Sequence, residues 1–333
     1  MKYTIRDIAK LSGFSVKTVS RVINNEANVS PETKRKILNV IAQTNYKPNL
    51  YARNLNSKTT KNILISIRKN RGQNTTRWFD TLMSYIMAEA SKKKYTIIQE
   101  IIYDDSDLDN SILETSSGYI DVVVLFYLEA GDKRLQIVRN NRIPHIAFEK
   151  NNNVPVSVSN NNRKGVLDAA KFLFARNLTN ICLLLGAKVN VNIERADAMI
   201  EAFRLHGHPL DQLEIVYNMN NLETIKRFVD EKIESSRLPQ VFFVSGDEKA
   251  IAVYHSVYAH GLSIPDDVSV IGFDNISISP YYYPPLTTVG QNFEKLAEEM
   301  FAVIGQILEG EKPYDEIESV EVDPQLIIRQ SVK

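Results

Sequence analysis

The residues that decide the architecture are Thr4-Ile5-Arg6-Asp7-Ile8-Ala9-Lys10-Leu11-Ser12-Gly13-Phe14-Ser15-Val16-Lys17-Thr18-Val19-Ser20-Arg21-Val22-Ile23. Thr4 followed by Asp7 is a capping box in its acidic variant and predicts a helix start. Ser12-Gly13-Phe14 breaks that helix. Ser15 caps a second one, Val16 to Ile23, whose apolar face is Val19, Val22 and Ile23. Two short helices around a glycine-containing turn form a helix-turn-helix. Beyond Asn24 to Asn28, Ser30-Pro31-Glu32-Thr33 reads as a cap with proline at the first helical position. It predicts a third helix to about Gln43, with Ile37, Val40 and Ile41 facing inward.

In such a motif the second helix enters the major groove, and its outward residues are Val16, Lys17, Ser20 and Arg21. Arg21 offers a bidentate fork to guanine, Lys17 reaches guanine or phosphate, and Val16 suits a thymine methyl. Ser15, Ser30 and Thr33 stand at helix starts, where hydroxyls and free N–H groups suit phosphate oxygens. The same periodicity also describes a three-helix bundle with a solvated basic face. Charge favours a polyanion partner: residues 1–62 hold twelve Lys/Arg against three Asp/Glu, leaving 28 against 37 in residues 63–333.

Working outward, 333 residues suit two or three domains, and 44% hydrophobic residues supply a core without disulfides or metals. Cys182, the only cysteine, lies in the apolar run Ile181-Cys182-Leu183-Leu184-Leu185 and reads as a buried hydrophobe. The N-terminus lacks the apolar segment of a signal peptide, and no run approaches the roughly 20 apolar residues of a membrane span. A cytoplasmic protein is the expectation. From Asn62 onward strand-like runs (63–67, 95–101, 121–127, 144–148, then 181–185, 214–217, 241–244, 268–273) alternate with helix-like segments. Alternation of this kind means parallel βα units, and two successive sets mean two lobes. Ligands sit beyond the carboxyl ends of such strands, so the natural site is a cleft between the lobes.

The strings Thr4 to Ala9, Ser15 to Asn24, and Tyr46-Lys47-Pro48-Asn49-Leu50-Tyr51-Ala52-Arg53-Asn54-Leu55 resemble the signature of the LacI/GalR family in order and spacing. The likeness continues almost to the end of the chain. Arg195-Ala196-Asp197-Ala198-Met199 stands where that family has its effector-binding arginine, and Ser245-Gly246-Asp247-Glu248 fills a slot usually reading small-x-Asn-Asp. Asp267 to Asn275, Pro284 to Val289 and Leu326 to Ser331 are similar to further family strings. The resemblance implies an α/β protein: a three-helix helix-turn-helix head plus hinge helix, then a two-lobed periplasmic-binding-protein-like core with parallel sheets. The implied domains are 1–46 (head), 47–60 (hinge), 61–160 with 290–319 (first lobe), and 161–289 with 320–333 (second lobe). The chain would cross between lobes near 160, 290 and 320.

The resemblance also assigns roles. Operator contacts are expected from Thr4, Ile5, Ser15, Val16, Lys17, Ser20, Arg21, Asn24, Asn28, Ser30, Thr33 and Tyr46. The hinge adds Asn49, Ala52 and Leu55, the last matching a leucine that wedges into the minor groove at a central step such as CG. The effector is expected at Asn161, Arg195, Asp247, Phe273, Asp274 and Gln291, with Trp78 or Phe79 as aromatic platform. Three departures from the family bear on the ligand. Arg68–Arg77 is longer and more basic than usual, Gly246 replaces an asparagine, and Asn161 replaces an aspartate. The expected partners are a pseudo-palindromic operator, a second copy of the chain and a small sugar. No leucine heptads follow Ser331, so a dimer is expected rather than a tetramer.

Other functions fit less well. The chain has no G-x-G-x-x-G, G-x-x-x-x-G-K-[ST] or G-x-S-x-G, and His145, His206, His208, His255 and His260 show no metal spacing. Neither an enzyme nor a cofactor or metal is expected. A purine or phosphometabolite corepressor, or a carbon-catabolite regulator docking a phosphocarrier protein, remains open, because Trp78 and Phe79 stack a base as readily as a sugar.

Overall fold

The computed structural model describes residues 3–23, 29–44, 46, 60–69, 76–115, 118–129, 131–310 and 312–333. They form two compact units, one ending at Thr60 and the other spanning Lys61–Lys333.

The first unit contains α1 (Ile5–Ser12), α2 (Val16–Ile23) and α3 (Pro31–Thr44). The box at α1 is reciprocal: the Thr4 amide donates to the Asp7 carboxylate at 2.8 Å, and the Asp7 amide donates to Thr4 Oγ1 at 3.4 Å. Gly13 ends the helix at φ +73°, a conformation that costs glycine nothing. Ser15 and Ser30 accept the amides of Thr18 and Thr33 at 3.1 and 3.3 Å. Ile8, Ala9, Val19, Val22, Ile37 and Tyr46 close the core, so the inward faces read from the sequence are those that pack.

In the second unit the strands are β1 (Asn62–Arg68), β2 (Thr96–Ile102), β3 (Val122–Phe126), β4 (His145–Phe148), β5 (Ser157–Asn160) and β6 (Ile181–Leu184). Then come β7 (Leu213–Val216), β8 (Val241–Val244), β9 (Ser269–Asp274), β10 (Thr287–Gly290), β11 (Val320–Val322) and β12 (Gln325–Ile327). The helices are α4 (Arg77–Lys93), α5 (Ile112–Thr115), α6 (Lys133–Asn140), α7 (Asn162–Phe174) and α8 (Asn190–Leu205). They continue with α9 (Leu222–Glu234), α10 (Asp247–Ala259) and α11 (Phe293–Glu309). One sheet has the order β11-β5-β4-β3-β1-β2 and is parallel throughout. The other has the order β12-β10-β9-β8-β6-β7, parallel except where β12 runs against β10. The two orders correspond strand for strand, so each lobe is a doubly wound α/β unit.

Burial explains why these strands were legible. Ile63, Leu64, Ile65 and Ile67 are at most 1% exposed, because helices cover both faces of a parallel sheet. Five elements escaped the sequence reading: the short strands β5, β10, β11 and β12, of which β5 (Ser157-Val158-Ser159-Asn160) is half polar, and α11, which packs Leu296, Met300 and Phe301 on the first sheet. The segment expected to be helical from Asp107 is a 3₁₀ turn, Asp105–Asn110, followed by the short α5.

The chain passes between lobes after β5, after β10 and between β11 and β12. The third passage lies later than the expected boundary at 319/320. Val320 pairs with Val158 and Val322 with Asn160, so residues 320–322 belong to the first sheet. The first and third passages are bonded together: the Asn161 amide donates to Val322 O at 2.9 Å, and Asn161 Nδ2 donates to Asp323 at 3.0 Å.

Beneath the carboxyl ends of the first sheet lies Arg134, wholly removed from water. Its guanidinium donates to Asp132 (2.7 Å), Ser66 O (2.8 Å) and Phe126 O (3.0 Å), tying β1 and β3 to the start of α6. A buried charge without its partner is expensive. Asp132→Ala is therefore expected to destabilise the core by about 3–5 kcal/mol, read as a lowered urea midpoint.

Candidate nucleic-acid interface and ligand cleft

On the head, Val16 and Lys17 are exposed while Val19 and Val22 are buried. Ser20 and Arg21 are partly exposed on the same helix. Thr4, Ser15 and Ser30 lie exposed at helix starts, with Thr33 in the first turn of α3. This puts a basic, hydroxyl-bearing surface around α2. Ile5 and Tyr46 pack in the head's core, Ile5 partly buried and Tyr46 9% exposed. Asn24, Asn28, Asn49, Ala52 and Leu55 lie outside the described residues.

Between the two sheets of the core lies a cavity of about 290 Å³. Its lining follows the strand ends: Arg68 at the end of β1, Tyr127 to Glu129 after β3, Glu149 to Asn151 after β4, Gly186, Ala187 and Val189 to Asn192 after β6, Ser245, Gly246, Glu248 and Lys249 after β8, Asp274 at β9 and Gln291 after β10. Trp78, at the start of α4, forms an aromatic wall with Tyr127 and stacks on Phe148 at 6.1 Å and 21°.

Arg195 is the central charge. It is 8% exposed, and its guanidinium lies 3.6 Å over the ring of Phe273. Nε donates to Asn162 Oδ1 at 3.0 Å and Nη1 to Ser245 Oγ at 2.6 Å. Asn162 Nδ2 in turn donates to Glu194 at 3.1 Å and to Glu149 at 3.3 Å, a polar chain from one lobe to the other. Asp274, at the strained φ of +118°, accepts from Gln291 Nε2 at 2.6 Å. That leaves Gln291 Oε1 buried without a partner among the described residues. The lobes also touch where the Arg77 amide, opening α4, donates to Glu248 at 2.7 Å.

Of the residues expected to hold a ligand, Trp78, Arg195, Asp274 and Gln291 converge on the cavity. The other four do not line it. Phe79 turns into the first core, 2% exposed, and Phe273 lies beneath Arg195. Asn161 is the cap of α7, accepting the Lys164 amide at 3.0 Å. Asp247 is wholly buried. It accepts from Ser279 Oγ at 2.5 Å, Thr288 Oγ1 at 2.6 Å and the Ile276 amide at 3.3 Å, and thereby holds the loops after β9 and β10 to α10. Sequence reasoning missed Glu149, Asn162, Ser245 and Lys249. Glu149 and Ser245 directly follow predicted strands, so the strand-end rule contained the signal.

Burial pushes Glu149 up to about 7, against the pull of Arg195 and with Glu194 and Glu321 adding to the rise. It pushes Asp274 up to about 7 as well, with Asp247 raising and Arg195, Gln291 and Lys249 lowering. Lys249 is held below its ordinary value by burial.

Comparison with known proteins gives two family matches: residues 4–49 match the lacI family of bacterial regulatory proteins, and residues 170–332 the periplasmic binding protein-like domain. The probable repressor ExuR of Bacillus subtilis is 26% identical over 99% of this chain and 98% of its own length. Catabolite control protein A of Priestia megaterium is 27% identical over the whole of both chains. The repressor PurR of Actinobacillus pleuropneumoniae is 25% identical over 99% and 98%. Among solved structures, the Lac repressor bound to ONPG superposes with a TM-score of 0.84 at 20% identity over both full chains. A CelR–cellobiose complex gives 0.73 at 21%, over 99% of this chain and all of the other.

Two outcomes are expected from this geometry. Arg21→Ala relaxes base preference and costs about 1–3 kcal/mol of operator affinity, read by binding-site selection and titration. The raised carboxylates make the folded core bind more protons than the unfolded chain between the ordinary carboxylate range and about 7. Core stability therefore falls as pH rises from 5 to 7.5, and Glu149→Gln flattens that slope in urea titrations.

Proposed function

We propose that this chain, which belongs to the lacI family of bacterial regulatory proteins, is a repressor that holds operator DNA through its head and releases it when a small sugar fills the cleft of its core. The observation that carries the ligand half is the buried Arg195 on Phe273, ringed by Asp274, Glu149, Asn162 and Ser245 at the strand ends. Sugars are bound by planar polar groups that satisfy hydroxyls and an aromatic face that covers C–H surface. Here Gln291 Oε1 is an acceptor waiting for a donor, the amides of Asn190 and Asn220 add further sites, and Trp78 supplies the wall. Support from relatives lies in the solved complexes of CelR with cellobiose and of an Enterococcus faecium regulator with ribose.

A homodimer in the bacterial cytoplasm completes the reading. Exposed on α10 and beyond β9 are Ile251 (45%), Tyr258 (42%), Tyr281 (83%) and Tyr283 (87%), apolar surface of the kind that a partner covers. No helix among the described residues is long and apolar enough to cross a membrane. The protein works as a binding switch rather than an enzyme. Ligand bridging Arg195 and Asp274 on one lobe with Trp78 and Glu149 on the other favours one angle between them. To switch, it must prefer the weak-binding state by about 1–3 kcal/mol.

The test is a thermal-shift panel of sugars, sugar phosphates and purines, followed by anisotropy titration on DNA from the gene's own neighbourhood. A sugar that raises Tm and releases DNA bound at two chains per duplex is the expected result. Arg195→Met is expected to abolish that response while operator binding persists. Purines that raise Tm and tighten DNA binding would replace the sugar and reverse the sign of regulation.

A further inference from the structure

The cleft holds a second, partly buried cation that its other groups leave unanswered. Lys249, in the first turn of α10, lines the cavity beside Arg195 and makes no hydrogen bond or ion pair among the described residues. Its stem runs beside two glycines. A Cβ built on Gly246, at φ +127°, would lie 3.5 to 3.7 Å from its Cδ, Cε and Cγ, and one on Gly186 would lie 3.5 Å from Nζ. Those are ordinary contacts, so it is the backbone angle of Gly246 rather than a lack of space that disfavours any other residue there.

Two of the neighbouring cations differ, while Lys69, just after β1, also lines the cavity without a side-chain ion pair among the described residues. Arg68 is held by Asp105 at 3.0 Å, and Lys150 by Glu321 at 2.6 Å. Arg195 uses Nε and Nη1 on Asn162 and Ser245, while its Nη2 has no acceptor among the described residues. The carboxylates that face Lys249 are engaged elsewhere: Asp274 accepts from Gln291, and Glu248 accepts the Arg77 amide. Helices α8 and α10 also point their N-termini toward the cavity, which adds positive potential there. Two cationic donors with open valences, Lys249 Nζ and Arg195 Nη2, therefore share one side of the cleft.

We propose that the effector is an anionic sugar, bearing a carboxylate or a phosphate, and that Lys249 is the residue that selects its charge. The inference rests on the sugar reading of the cleft and narrows it. A neutral sugar would leave the ammonium buried with hydroxyls alone, whereas an anion completes it with a charge-assisted hydrogen bond.

The experiment is calorimetric titration of the full chain with galacturonate, glucuronate, gluconate and glucose 6-phosphate, each against its neutral parent. At least one acidic probe is expected to bind ten times more tightly than its parent, and whether it is a uronate, an aldonate or the phosphate identifies the source of the charge. Lys249→Met is expected to weaken that probe roughly ten- to hundredfold, the worth of a hydrogen bond to a charged group, with the neutral parent little changed. Lys249→Arg restores the preference and shows that loss in the methionine variant is not loss of fold. Neutral sugars binding as well as their acids, or an acid preference that survives Lys249→Met, overturns the proposal and leaves the sugar cleft standing. Binding of a purine such as hypoxanthine, with no sugar of either kind bound, overturns both.

Discussion

A guanidinium taken out of water has to be answered on every side, and in this core that requirement falls on Arg195. Phe273 takes one face of the ion at 3.6 Å, Asn162 and Ser245 accept from two of its nitrogens, and Asp274 and Glu149 supply opposing charge. These groups come from different strand ends and from both lobes, so satisfying one ion fixes the geometry of the whole cleft. Desolvation makes the arrangement exacting, since a buried charge that loses a partner costs several kcal/mol. It also explains why the site is polar at its centre and aromatic at its edge. The charges gather where helix N-termini meet the carboxyl ends of the strands, and the rings of Trp78 and Phe148 close the side nearer the first sheet.

Much of the fold could be read from the chain because its physics is local or periodic. The capping box at Thr4 and Asp7, the glycine turn and the buried apolar runs such as Ile63 to Ile67 each determine an element from within a few residues. Ser157 to Asn160 was missed because it is short and half polar, and of its two neighbours in the sheet only β4 is close in the chain, Val320 and Val322 lying far along it. Its polar residues carry no signal of their own. The same limit moved the third passage: whether Val320 pairs with one sheet or the other is decided by a register that no local pattern encodes.

The cleft was legible in position more than in detail. Trp78, Arg195, Asp274 and Gln291 meet there, as strand-end geometry and family position implied. Asn161 and Asp247 were drawn elsewhere by nearer obligations. Asn161 serves an orphan amide at a helix start, and Asp247 serves two hydroxyls and an amide beneath the loops. Neighbouring residues serve the cleft instead: Asn162, one position on, holds Arg195, and Lys249, two positions on, lines the cavity. A helix turns about 100° per residue, so a role carried over by alignment lands on the wrong face when the cap claims its side chain.

The three passages between the lobes bear on what the cleft can report. Two of them are stitched together where the Asn161 amide meets Val322 O and its side chain meets Asp323. The third is anchored nearby through the Gln291 amide on Asp274 O at 3.3 Å. Three tethers so joined restrict how the halves can move against one another. Whatever molecule enters is thereby reported through that restricted motion, and chemically different ligands become comparable by how far they bias it.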